Sequence, residues 1–201
     1  MSRNALLVID AQKIYTSQNS EMFCQDSKGT LKRINSLIGH FVGDKSPVIL
    51  VRHVHKADGR DLGRMFDFTG EPEEEFNFKA GTPDVEYDSS LIIPEGATHI
   101  VKNRYSAFVG TRLHDILEKS AVGTVTICGF MTNFCCESTA RQAHDLDYFV
   151  DFVVDGTGTC GTDKFTETEV RDIVADTLSS GYARVTKTTA ILKRAAKSGK
   201  R

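Results

Sequence analysis

The chain alternates short β-branched or apolar runs with stretches whose apolar residues fall at helical spacing. The runs are ALLVI at 5–9, VILVRHV at 48–54, THIV at 98–101, TVTIC at 124–128, YFVDFVVD at 148–155 and YARVT at 182–186. Runs of this length are strands rather than helices, and the continuous apolar ones suit parallel strands covered on both faces. Between them, Leu31, Ile34, Leu37, Ile38, Phe41 and Val42 recur as one face of a helix from Ser27 to Gly43. Leu113, Ile116 and Leu117 mark a second helix. Val170, Ile173, Val174, Thr177 and Leu178 mark another before Gly181, and TAILKRAAK a closing one. A strand, a helix and a second strand in one sheet form a right-handed βαβ unit. The pattern therefore predicts an open α/β sheet with helices on both faces.

At 201 residues the chain is expected to form one domain over 1–201, without internal repeats. Its rhythm breaks at about 56–96, where Gly59, Gly63, Gly70, Gly81, Pro72, Pro83 and Pro94 punctuate four phenylalanines, Phe66, Phe68, Phe76 and Phe78, around an acidic EPEEE. A long irregular insertion in a compact domain is often a lid or a binding loop. So much apolar surface needs a cover, either the mouth of a site or a second subunit, so a homo-oligomer, dimer or tetramer, is expected.

The composition, 40% hydrophobic and 26% charged with a net charge of −2, offers no field for nucleic acid or an anionic membrane. The expected partner is a small-molecule substrate. The start, MSRNALLVID, has too short an apolar run for a signal peptide, and no stretch approaches the roughly 18 apolar residues of a membrane span. A cytoplasmic location is expected. Five cysteines without CxxC spacing fit neither a disulfide framework nor a tetrahedral zinc site.

The chemistry-bearing residues stand where the strands end. Asp10 stops the first run, Lys102 the third, and Cys135 follows the fourth in GFMTNFCCESTARQA, with Thr132 as the expected helix N-cap. In open α/β sheets the ligand site lies at the carboxyl ends of the strands. Each residue alone has a structural reading: a turn cap, a surface charge, a core thiol. Together they offer a base, a cation and a nucleophile, and a helix N-terminus favours a thiolate over a thiol.

At VIDAQ (Asp10, Gln12), VKNRYSAF (Lys102, Ser106, Phe108) and GFMTNFCCESTARQA (Gly129, Thr132, Cys135, Thr139, Ala140) the chain resembles the isochorismatase-like cysteine hydrolase superfamily, nicotinamidases and N-carbamoylsarcosine amidohydrolases among them. The resemblance implies a three-layer αβα, Rossmann-like fold with a six-stranded parallel sheet, an Asp10-Lys102-Cys135 triad and hydrolysis of amide-like C–N bonds. It also implies a cis peptide before Met131 and an oxyanion hole from the N–H groups of Met131 and Cys135. Gln12, His55, Tyr105, Phe108 and Phe130 are the candidate substrate contacts. Nicotinamidases carry an Asp-x-His metal motif after the second strand, where this chain has His53-Val54-His55, so neither a metal nor another cofactor is expected. Two other readings were open: a vinyl ether hydrolase acting on isochorismate, which the presence of Cys135 disfavours, and a non-catalytic flavodoxin-like binding module, which would share the fold but for which no G-x-G-x-x-G follows the first strand.

Overall fold

A strand covered on both faces must feed two cores with alternate residues. In a computed structural model describing residues 3–67, 69–70 and 75–198, the first strand, β1 (Arg3–Ile9), does so. Ala5, Leu7 and Ile9 enter one apolar cluster, and Leu6 and Val8 the other. Five further strands, β2 (Val48–His53), β3 (Thr98–Lys102), β4 (Val122–Phe130), β5 (Phe149–Gly158) and β6 (Arg184–Thr186), complete a parallel sheet in the order β3-β2-β1-β4-β5-β6.

A single helical turn, α1 (Lys13–Thr16), follows β1, and then α2 (Ser27–Gly43) lays Leu31, Ile34, Leu37, Ile38 and Phe41 on one face of the sheet. Each such side chain contributes about 1.5–3 kcal/mol when buried. The opposite face is covered by α3 (Leu113–Lys119), α4 (Glu137–Asp145) and α5 (Glu167–Ser179), through Leu113, Leu117, Ala140, Ala143, Val174 and Leu178. The last helix, α6 (Thr188–Ser198), returns Ile191 to the α2 side. The result is the three-layer αβα arrangement expected. Among the described residues no helix is long and apolar enough to cross a membrane.

The strand order reverses between β1 and β4, which makes their carboxyl ends the switch point where such sheets bind ligands. There Gly129 pairs with Ile9 at a φ of 123°, and a Cβ on it would lie 1.9 Å from the Ile9 carbonyl oxygen. Only glycine lets β4 approach β1 this closely.

Two local expectations change. Residues 156–158, past the end of the apolar run at 148–155, extend β5, because the register shift between Ile127 and Gly129 carries Gly129 and Phe130 opposite Thr157 and Gly158. The helix expected to start at Thr132 instead begins with one π-helical turn, Thr132–Cys136, ahead of α4. Thr132 is not its cap: its hydroxyl donates to Thr157 Oγ1 (2.9 Å), which donates to the Val154 carbonyl (2.9 Å). A π turn is rare and often sits at a functional site.

The insertion is tied to the sheet ends by two isolated bridges, Gln12 to Tyr87 and His55 to Lys79. Phe68 and most of the acidic run, residues 71–74, lie outside the described residues.

Candidate active site

Asp10 is the first residue beyond β1 and takes a φ of 47°, so the chain turns sharply and leaves its carboxylate at the sheet edge. Lys102 closes β3, two strands away, and its side chain spans the end of β2. Its ammonium stands 2.7 Å from Asp10 Oδ2, 3.2 Å from Cys135 Sγ and 3.1 Å from the Arg104 carbonyl. Both ionic side chains have no exposed surface. The sheet edge therefore brings together the three residues that the sequence places there.

Burial sets the protonation of this group. It pushes the Asp10 carboxyl above its ordinary range, and the Lys102 charge pulls it back only in part. Burial alone would lower Lys102, but attraction from Asp10 and Cys135 holds its charge above the usual lysine range. The Cys135 thiol is pushed up to about 12, first by burial, with Lys102 drawing it down and Asp10 adding to the rise. This corrects the helix-terminus expectation. Cys135 lies in the π turn and is 1% exposed, and that burial favours the thiol over the thiolate.

The turn carrying Cys135 is anchored through Thr139, which donates to the Cys135 carbonyl (2.6 Å) and accepts from the Ala107 N–H (3.0 Å). The Met131 carbonyl accepts from the N–H groups of Phe134 and Cys136, and the Phe130–Met131 peptide is cis, as the resemblance implied.

Above the thiol is a cavity of about 70 Å³ lined by Tyr15, Met22, His53, Met65, Phe66, Phe78, Tyr105, Met131, Phe134 and Cys135. A larger open groove of about 740 Å³, between α2 and residues 88–92, touches none of the three reactive groups. The small cavity is the one that reaches Cys135.

Of the five candidate substrate contacts, Tyr105 alone lines this cavity. Gln12 is spent on backbone: its Nε2 donates to the His53 and Val85 carbonyls (both 3.0 Å), and its Oε1 accepts from the His53 N–H (2.8 Å). Phe108 packs beside Tyr148 in the helix-covered core, and Phe130 stacks on Tyr15. His55 stands one layer back, with Nε2 3.0 Å from His53 Nε2. Sequence reasoning had assigned Tyr15, Met22, Met65 and Phe134 no role at the site. His53, in the His53-Val54-His55 segment, lines the cavity.

The insertion supplies the wall. Phe78 stacks flat on His53, with centroids 4.3 Å apart, and Phe66 and Phe76 turn edges to His55. These three rings find cover within the same chain, so they give no argument for a subunit contact.

The only group of three potential metal ligands among the described residues is Asp10, His53 and Cys135, with donor atoms within 4.8 Å of one another. It does not fit a metal, because the Lys102 ammonium already contacts two of the three. The nicotinamidase-type motif fits no better, since both of its positions are histidines whose Nε2 atoms face each other.

The chain matches the isochorismatase domain model over residues 4–190. It is 36% identical over 189 residues to nicotinamidase 3 of Arabidopsis thaliana, covering 89% of this chain and 82% of that relative. To ureidoacrylate amidohydrolase RutB of Methylorubrum extorquens it is 32% identical over 93 residues, 46% of this chain and 38% of that one. A solved cysteine hydrolase from Pseudomonas syringae pv. phaseolicola 1448A superposes with a TM-score of 0.88 at 26% identity, covering 96% of this chain and 92% of that structure.

Proposed function

The chain belongs to the isochorismatase family of hydrolases, and from that premise we propose that it is a cysteine-dependent amidohydrolase of a small amide, carbamoyl or ureido compound. The observation that carries this reading is the buried Lys102 ammonium between Asp10 and Cys135 Sγ, at 2.7 and 3.2 Å, beside a small cavity that Cys135 lines. The similarity to a nicotinamidase and to a ureidoacrylate amidohydrolase points the same way.

Asp10 takes the Sγ proton as Cys135 attacks the substrate carbonyl carbon, and Lys102 holds the forming thiolate. The C–O π pair moves to oxygen, and the Met131 and Cys135 N–H groups receive the oxyanion, an effect of roughly 3 kcal/mol per donor. Collapse breaks the C–N bond, and Asp10 returns the proton to the leaving nitrogen, leaving a thioester. Water then gives a proton to Asp10 and adds to the thioester. Breaking the C–S bond releases the acid, and the proton returns to Sγ.

Residues 1–201 act as one catalytic domain in this reading, with the insertion at 56–96 as the wall of its pocket. A flavodoxin-like module or a vinyl ether hydrolase gives no reason to bury a lysine against both a carboxylate and a thiol.

The test is ammonia release from a panel of primary amides, carbamoyl and ureido compounds, with Cys135→Ala as control. Turnover that vanishes in the control, with an acyl adduct on Cys135 by mass spectrometry, supports the assignment. No release from the whole panel, or full activity in Cys135→Ala, defeats it.

A further inference from the structure

The wall beside Cys135 contains a buried hydrogen-bonding atom for which the triad has no use. His53 and His55 face each other through Nε2 at 3.0 Å, so one nitrogen donates and the other accepts. The far side of His55 decides which. Asp61 Oδ1 stands 3.6 Å from His55 Nδ1, an ion-pair distance rather than a hydrogen bond, and Asp61 is held there by the Lys56 N–H (2.9 Å) and Asn103 Nδ2 (3.2 Å). A neutral imidazole has one N–H, and the carboxylate draws it to Nδ1 of His55. His55 Nε2 is then bare and accepts from His53 Nε2–H. The remaining nitrogen, His53 Nδ1, is a bare acceptor.

That acceptor is buried and has no hydrogen-bond partner among the described residues, and His53 lines the cavity. Its ring cannot easily turn away: Phe78 covers one face, and Gln12 holds the His53 backbone on both sides. Burial favours the neutral rings: it lowers both histidines, well below the ordinary value in His53, where Lys102 adds to the effect, while Asp61 partly offsets it in His55. A buried acceptor without a donor is unfavourable, and a bound molecule carrying an N–H relieves it.

Resting on the amidohydrolase reading, we propose that His53 Nδ1 selects the substrate by accepting a hydrogen from the nitrogen that will leave. The substrate class is then primary carboxamides and terminal carbamoyl or ureido groups. A ring nitrogen of His53, an Asp10 carboxylate oxygen and Sγ lie within 4.8 Å of one another, so a leaving NH2 can give one hydrogen to His53 while its lone pair meets the proton on Asp10. A nitrogen without hydrogens, an ester oxygen or a methyl ketone offers the acceptor nothing.

The direct test is long-range 1H–15N correlation of the imidazole rings, with His53 assigned from His53→Phe and, should that variant fold poorly, from His53→Gln, which retains a donor toward His55. Propionamide and butan-2-one serve as probes, because they differ only by NH2 against CH3. The expected result is an unprotonated Nδ1 and a protonated Nε2 on His53, with Nδ1 moved by propionamide and not by butan-2-one. Protection of Cys135 from iodoacetamide by propionamide should weaken roughly tenfold in His53→Phe, while any protection by butan-2-one stays unchanged. A proton on Nδ1, or equal effects of the two probes, overturns the proposal. Failure of every amide to release ammonia counts against the hydrolase reading alone, because neither the tautomer nor the protection measurement uses turnover.

Discussion

Lys102 and Asp10 leave strands that are not neighbours, yet they meet at 2.7 Å with both side chains sealed from solvent. Such a pair contributes little net stability, because desolvating two charges offsets their attraction, whereas losing one partner strands the other. Lys102→Met should destabilise the fold by about 3–5 kcal/mol. Removing both charges, in Asp10→Asn with Lys102→Met, should recover much of that loss and no activity. Urea unfolding of the two variants decides it; equal stability of the single variant and wild type would mean that Asp10 is already neutral.

Lys102→Arg should fold, since the charge is kept, and should lose roughly a hundredfold in kcat. A planar guanidinium cannot sit between a carboxylate and a sulfur as a compact ammonium does. Steady-state kinetics on whichever amide proves active is the measurement, and a loss of only a few-fold refutes this role for the lysine.

The pH dependence follows from the same burial. Asp10 must be ionised to receive the thiol proton, and its pKa is raised above 3.8, so the acid limb of kcat/KM should lie above the ordinary carboxylate range. For stability the two raised values act in the same direction, in different pH windows. The raised Asp10 pKa favours the fold at low pH and loses that contribution as pH climbs through the folded value; the raised Lys102 pKa gives stability below 10.5 that is lost only further into alkali. A pH–rate profile with an acid limb at or below 3.8 contradicts the burial argument.

Thiol labelling should separate exposure from chemistry. Cys160 is exposed, whereas Cys24, Cys128, Cys135 and Cys136 are buried. A bulky maleimide should therefore mark Cys160 first. Iodoacetamide, small enough for the cavity and shaped like an amide, should also reach Cys135 and leave Cys136 untouched, since only the former lines the cavity. Peptide mapping of Cys160→Ser reads this directly, and labelling of Cys136 ahead of Cys135 would falsify the assignment of the nucleophile.

The fold and the meeting of Asp10 with Lys102 were legible because they depend on where runs end. A five-residue apolar stretch stopped by Asp10, or by Lys102 after THIV, declares both a buried strand and the edge at which it delivers a charge. The pocket was not legible, because it depends on which way a side chain faces after the regular pattern stops. Phe130 lies within β4, and alternation sends it into the core against Tyr15. Phe66 and Phe78 reach the cavity from non-glycine residues at φ of 61° and 63°, a left-handed geometry that no spacing rule anticipates. Gln12, two residues past Asp10 in VIDAQ, is a candidate substrate contact on the family resemblance alone. Its amide instead satisfies the backbone of His53 and Val85.

Asp61 is the furthest of these residues from the thiol that should still matter to the reaction. It reaches the substrate only through two imidazoles, so it is a positioning residue. Asp61→Asn keeps an oxygen for the Lys56 N–H, gives up the oxygen that accepts from Asn103 Nδ2, and removes the charge that draws the proton to His55 Nδ1. With that bias gone, His55 can carry its proton on Nε2, and His53 must then bare Nε2 and protonate Nδ1, turning the cavity's acceptor into a donor. The expected outcome is a mixed tautomer signal at His53, a KM for primary amides raised roughly tenfold and a smaller change in kcat, with Asp61→Glu recovering part of the loss. A purely structural role for Asp61 would lower stability without moving the His53 tautomer, and an unchanged imidazole spectrum in a folded Asp61→Asn protein would break the link between these residues.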